Sequence, residues 1–348
     1  MSREHPVAVE GAQSQDDGSS SKSTLSVTDE LKFLLADGAL AVANSNHTIE
    51  LPPWFDWDKF RRGQQYFHNN YFALFVAKLC GLLTILAIPS IQRVLRLTRQ
   101  SSEPLTAFRR YVATLTHMLE WYEGDLLEPT SRAHMSLLGV RARHCTAARK
   151  ARKAGLGSIS QLDMAMTQFG FMGFGLLASE KLGLIGSPEE QEGFVHFWRT
   201  VGHLLGIEDR FNICRCNLRE TRQLCQAMLE QVFVPALRKP SEGFDQMSRS
   251  LIQGMWSMVP FLDYDAFLSF TMRLAGVETT ESKNKSPQSF HSRALLAYQI
   301  FVHEVVLRNW FLGSIWRPIL NFGMWLSVFL TQRLPILAYI QYGKRNVY

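Results

Sequence analysis

The sequence predicts an all-α fold, and three observations carry that prediction. Apolar residues recur at helical spacing almost throughout the 348-residue chain. Short alternating runs bounded by turn residues, the mark of a half-buried strand, are nearly absent. No motif repeats at intervals of 20–50 residues, so the helices belong to one large domain rather than a stacked array.

The elements follow in order. Residues 1–27 are rich in Ser, Asp, Gly and Gln and poor in aromatics. They bury too little apolar area to offset their ordering entropy, and a disordered tail is expected. An entry segment spans 28–54, with a short helix near Leu31–Val42 and an extended stretch, Leu51-Pro52-Pro53-Trp54, leading into the body. The main domain is read as 55–275. Its expected helices lie near 56–70, 71–87, 90–98, 104–121, 130–153, 160–181, 188–206, 208–234, 242–258 and 261–274. Pro89, Pro104, Gly155, Gly157, Pro188, Pro235 and Pro240 break the pattern between them. A polar loop is expected at 276–289. Two apolar helices, near 288–309 and 315–340, fill the C-terminal part, 290–348.

Composition narrows the function classes. Hydrophobic residues make up 46% and charged residues 20%, with a formal charge of +6. That is ordinary globular composition. The excess charge forms no compact basic stripe with interleaved aromatics, so nucleic acid is not expected as a partner. The cysteines, Cys80, Cys145, Cys214, Cys216 and Cys225, are odd in number and irregular in spacing, which argues against a disulfide framework. The first residues lack an apolar h-region, so no signal peptide is expected. An intracellular setting follows as the expectation. Asn46-His47-Thr48 fits the glycosylation pattern but carries little weight in that setting.

Two segments raise the question of a membrane. Tyr71–Ile91 is long enough to span, yet Lys78 sits at its centre, and a buried core helix pair is the favoured reading. The second runs from Pro318 to Tyr339 and is interrupted by Arg333 and Pro335. Its aromatics, with Arg317, Lys344 and Arg345 nearby, suit a helix lying at a membrane surface, as well as one packed on the core.

There is no P-loop, no dinucleotide fingerprint, no HExxH and no nucleophile elbow. What remains is polar residues inside apolar helices, where burial is costly. Arg110 and Thr114 stand four apart on one face. Arg141 and His144 stand three apart on another. Ser160 and Asp163 form a cap signature, with Thr167 one turn further on. Trp198-Arg199 precede Gly202-His203-Leu204-Leu205-Gly206. Alone, each has an ordinary structural reading; His203 by itself reads as a satisfied core histidine.

In their joint order these elements resemble the catalytic domain shared by latex-clearing proteins (rubber oxygenases) and the endoplasmic-reticulum-bound oxygenases of the MpaB type. The resemblance runs from about Phe55 to about Leu268. It rests on Arg110…Thr114, Arg141…His144, Gln161…Asp163…Thr167…Phe171 and Trp198-Arg199…Gly202…Gly206. It implies a helical domain enclosing a haem b pocket, with iron and O₂ chemistry on a hydrophobic substrate such as an unsaturated isoprenoid or lipid. Carried over by position, His144 is the axial iron ligand, and Arg110 and Thr114 are the polar catalytic pair. Arg141, Thr167 and His203 join His144 in holding the cofactor. Some members have a lysine just before that threonine; here it is Ala113, which cannot ligate iron. An arginine common four residues after the axial histidine is here Ala148, with Arg149 next, a rotation of about 100° around the helix. Phe72, Phe75, Leu79, Leu82 and Leu83 are expected to line an apolar tunnel. An intracellular, endoplasmic-reticulum membrane-associated location goes with this reading. A haem or lipid carrier without chemistry, or a membrane-surface helical protein, remains as the alternative.

Overall fold

The computed structural model describes residues 26–43, 49–277 and 289–347. Nearly all of the expected polar tail, most of the 276–289 loop and the Asn46-His47-Thr48 triplet lie outside them. Among the described residues there is no strand, and the helices share one apolar core. The expected all-α class is what the structure has.

The chain enters through α1 (Val27–Leu40), whose end is pinned to the start of α7 (Gln161–Leu177). Val42 and Ser160 form a β-bridge there, and the Gln161 amide donates to the Ala41 carbonyl at 2.8 Å. Helix α2 (Trp57–Asn69) is capped by Asp56, which accepts from the amides of Asp58 and Lys59. The chain then turns by 94° into α3 (Tyr71–Leu86). The corner is Asn70, fully buried. Its side-chain amide donates to the carbonyls of Tyr66 and Ile185, and its oxygen accepts from the Ile185 amide at 2.9 Å.

Helix α3 is the central rod of the molecule: Phe72 alone of its residues escapes full burial. This is the expected core helix, and the sequence explains how it fits. Gly81 lies so close to α7 that a Cβ there would stand 2.0 Å from the Gly170 carbonyl oxygen. The same device recurs where α2 crosses α8 (Pro188–Leu204). A Cβ on Gly63 would stand 2.3 Å from the Gly193 oxygen. Glycine at both crossings lets backbones approach where any side chain would hold them apart.

Around this centre stand α4 (Pro89–Thr98), α5 (Pro104–Glu123), α6 (Arg132–Lys153), α9 (Leu218–Met228), α10 (Val234–Arg238), α11 (Phe244–Met255) and α12 (Tyr264–Leu274). Beyond the second undescribed stretch come α13 (Phe290–Ile300), α14 (Trp310–Arg333), α15 (Ile336–Tyr342) and α16 (Lys344–Val347). Among the described residues, no single helix is long and apolar enough to cross a membrane.

The helix expected at 208–234 begins only at Leu218. Before it, Asn212 holds the backbone in a turn: its oxygen accepts from the Cys214 amide, and its nitrogen donates to the Arg199 carbonyl at 2.9 Å. Asn217 then caps α9 by accepting from the Glu220 amide. A wide π turn, Leu229–Phe233, precedes Pro235, so the expected break appears as a change of helical pitch. The helix expected at 288–309 likewise ends in a π turn, Phe301–Val306. Helix α14 starts earlier than expected because Asn309 accepts from the amides of Phe311 and Leu312.

Gly81→Ala is expected to cost about 3 kcal/mol or more, because the added methyl meets backbone that cannot yield. Urea unfolding of the parent and variant measures it; a loss under about 1 kcal/mol would show that the crossing tolerates separation.

Candidate functional site

Helices α5 and α6 run against each other; α5 carries Arg110 and Thr114, and α6 carries Arg141 and His144. His117 on α5 meets Ser136 on α6 through Nδ1 and Oγ at 2.7 Å, and Arg143 of α6 also reaches the His117 ring. Further along α6, His144 lies within electrostatic reach of Arg110 on α5. Its Nδ1 is buried and has no hydrogen-bond partner. Burial, with the positive charges of Arg110 and Arg143, pushes its pKa down to about 4. The imidazole is therefore neutral near pH 7, with a buried ring nitrogen unspent. Such a nitrogen is the donor that a metal centre takes.

The other expected site residues have other duties. Arg110 donates to the Thr98 hydroxyl at 3.0 Å. The Thr114 hydroxyl donates back to the Arg110 carbonyl at 2.9 Å, one turn earlier on the same helix. Arg141 is buried and donates to the Leu204 carbonyl at 2.9 Å, satisfying a free carbonyl at the end of α8 and fixing α6 against it. The Thr167 hydroxyl donates to the Asp163 carbonyl at 2.8 Å. His203 sits at the end of α8 with its ring edge-on to Trp54 at 6.0 Å. The structure thus puts Arg110 within electrostatic reach of His144, with its guanidinium bonded to Thr98. It ties Arg141 to the α8 end beside His203, and keeps Thr167 in its own helical turn. Arg149 is exposed and bonds Thr146. Phe75, Leu79, Leu82 and Leu83 belong to the packed core, and Phe72 stacks on His303 at 5.2 Å.

Much of the motif pattern is the framework behind this contact. Gln161 donates to the Gly206 carbonyl at 3.0 Å and accepts from the Glu208 amide. Gln168 donates to the Trp198 carbonyl at 2.8 Å and to Asn212 at 3.0 Å. Gly202 is needed there, since a Cβ would stand 2.4 Å from the Gln168 amide nitrogen. Arg199 pairs with Asp209 at 2.9 Å and lies 3.9 Å from the centre of the Trp54 ring. The Asp56 amide donates to His196 Nε2 at 3.0 Å, which requires that nitrogen unprotonated.

Two features were not legible as site elements in the sequence. The first is a cleft of about 970 Å³ between α5 and α14. Val112, Ala113, Thr116 and Glu120 form one wall, and Trp325, Phe329 and Gln332 the other. Its size suits a lipid-like molecule, and Ala113 opens onto it. The second is Lys78. Its ammonium nitrogen is buried without a hydrogen-bond partner, 5.4–6.0 Å from the ring centres of Phe67, Tyr122, Phe171 and Trp198. Burial pushes its pKa well below the ordinary 10.5. Among the described residues no group of three or more His, Cys, Asp or Glu side chains could cage a metal ion. A porphyrin iron asks for only one or two protein donors.

Two outcomes test these electrostatics. Lys78→Met is expected to be at least as stable as the parent at pH 7, whereas Lys78→Ala, which leaves a void, loses about 3 kcal/mol. The advantage of Met should shrink as pH rises toward 10.5, where the unfolded amine also sheds its proton. Denaturant titrations from pH 7 to 10 measure both. In acid, His144, His196 and His303 act together. Each has its folded pKa lowered to about 4, mainly by burial, against 6.5 unfolded. The unfolded chain then binds more protons below pH 6.5, so stability falls as pH drops from 6.5 toward 4. Urea midpoints that stay level over that window would contradict the buried, neutral state of these rings.

Comparison with known proteins agrees with this architecture. The family model described as "ER-bound oxygenase mpaB/B'/Rubber oxygenase, catalytic domain" matches residues 65–330, which reaches into α14. A solved structure of latex clearing protein LCP in the closed state superposes with a TM-score of 0.55. The match has 15% identity and covers 87% of this chain and 89% of that one, a likeness of fold. No curated protein matches the chain. With a match over far more than half its length, the chain belongs to the ER-bound oxygenase mpaB/B'/rubber oxygenase catalytic-domain family.

Proposed function

We propose that the protein is a haem b-dependent oxygenase acting on a hydrophobic, unsaturated isoprenoid or lipid-like substrate with O₂, and that His144 is the axial ligand. The observation that carries this reading is the His144 Nδ1, buried and without a partner on the face where the family pattern puts its ligand. The residues present fit the group. His144 would hold it, and burial, with the positive charges of Arg110 and Arg143, keeps the imidazole unprotonated and able to donate. Haem b, when bound, supplies the redox centre for dioxygen chemistry that amino-acid side chains lack. The rest of the work falls to this chain's own side chains. Arg141 fixes the register of α6, and so the position of His144, through its bond to α8. Arg110, whose charge reaches the His144 ring, would be the donor to charge developing on oxygen, and Thr114 braces that turn of α5 by donating to the Arg110 carbonyl. Ala113 contributes no donor to the cleft wall it shares with Val112, Thr116 and Glu120. The α5–α14 cleft admits the substrate. An intracellular, endoplasmic-reticulum membrane-associated location belongs to the same reading.

A second reading, a haem or lipid carrier without chemistry, is favoured by Ala113 and by the outward Arg149. Purified protein reconstituted with haemin should show a Soret band, and His144→Ala should shift that band or weaken haem retention about tenfold or more. No band, or one untouched by His144→Ala, rejects the assignment. Oxygen uptake with a polyunsaturated isoprenoid separates enzyme from carrier, because the carrier keeps the band and consumes none.

A further inference from the structure

The C-terminal helices carry an apolar surface that the fold does not use. On α14, Trp310, Trp316, Ile319, Phe322, Trp325 and Phe329 are between 42% and 84% exposed. The surface continues on α15, where Ile336 and Ile340 are 58% and 78% exposed. From Phe311 to Thr331 the only charged residue is Arg317, and it is buried on the opposite face. Soluble monomers seldom show an uncovered apolar surface along a whole helix.

The inner face of α14 is firmly held. Arg317 donates to the carbonyls of Gly183 and Leu307, each at 2.8 Å, and to Asn70 at 3.3 Å. Asn321 accepts from the Phe72 amide at 3.0 Å and donates to the Asn69 carbonyl at 2.9 Å. Polar groups bonded to the body on one side and bare aromatics on the other make a helix that lies along an interface.

Charge identifies the interface. Exposed Arg308 precedes α14, Arg333 ends it, and exposed Lys344 and Arg345 follow α15. Between 289 and 347 the only acidic residue is Glu304, already paired with Arg273 at 2.7 Å. Apolar aromatics bracketed by basic residues match the acyl boundary and anionic headgroups of a bilayer.

We infer that α14 and α15 form a monotopic docking face, which seats the protein on an anionic lipid bilayer with α14 lying in the plane of the interface. The same helix forms a wall of the α5–α14 cleft through Trp325, Val328 and Phe329, so docking brings the cleft to the lipid surface. This inference rests on the membrane-associated location proposed above but not on the haem assignment, and its test reads lipid binding alone.

The full chain is floated with phosphatidylcholine vesicles, with and without about 30% phosphatidylserine. Binding is expected to both, stronger with phosphatidylserine and weakened by salt. Ile319→Asp with Phe322→Asp, at exposed positions, should reduce binding to both about tenfold or more with an unchanged melting temperature. Lys344→Gln with Arg345→Gln should remove most of the phosphatidylserine preference. Should the aspartate pair unfold, quenching of the parent's tryptophans by brominated lipid replaces it. Failure of the parent to float, or tryptophans unquenched by brominated lipid, overturns the inference. So does a stable dimer that Ile319→Asp with Phe322→Asp converts to monomer while vesicle binding is unaltered, because a second copy then covers the face.

Discussion

The close crossing of α3 on α7 is the constraint from which the rest of the molecule follows. A helix buried on all sides must find partners at short range around its whole circumference, and Gly81 against Gly170 supplies the shortest approach. Because α3 is held there, α7 stands at a fixed height. Gln168 on α7 can then reach the Trp198 carbonyl and Asn212, which locks the α8 end and the turn after it. That α8 end is where Arg141 fastens α6. A line of close contacts therefore runs from two glycines in the centre to the helix that bears His144.

The polar residues along this line are costly to bury and are nearly all satisfied by backbone carbonyls. Arg141, Gln161, Gln168 and Asn212 each close a free helix end or a turn. Of the buried polar atoms left without a partner, two are informative together. His144 Nδ1 and Lys78 Nζ are buried without partners in the same domain, and they differ in surroundings. Lys78 looks onto aromatic faces, which attract a cation without bonding it. His144 looks toward arginines, which repel one. The first is an arrangement that the fold itself tolerates. The second is the nitrogen on which the proposed haem assignment rests.

The sequence made the helices legible because their apolar spacing is strong and because a cap such as Ser160 with Asp163 is recognisable; the structure adds a second reciprocal cap, Ser187 with Glu190. It misplaced the start of α9, where Asn212 diverts the backbone by side-chain bonds that no periodicity records. Arg110 with Thr114 and Arg141 with His144 were readable as two shared faces, but the charge of Arg110 reaching His144 was not, because the loop geometry that sets α5 against α6 has no period. The α5–α14 cleft joins segments some 200 residues apart. No local pattern announces such a meeting. Lys78 was visible as an anomaly in an apolar run, while the four rings around it come from four different helices.

Arg317 has one further mechanical consequence. Its rigid planar fork reaches acceptors on three separate segments, so α14 cannot roll about its own axis without breaking several bonds at once. The azimuth of the outer aromatic stripe is thereby phase-locked to the Asn70 corner, and the helix acts as a keel whose heading the interior sets.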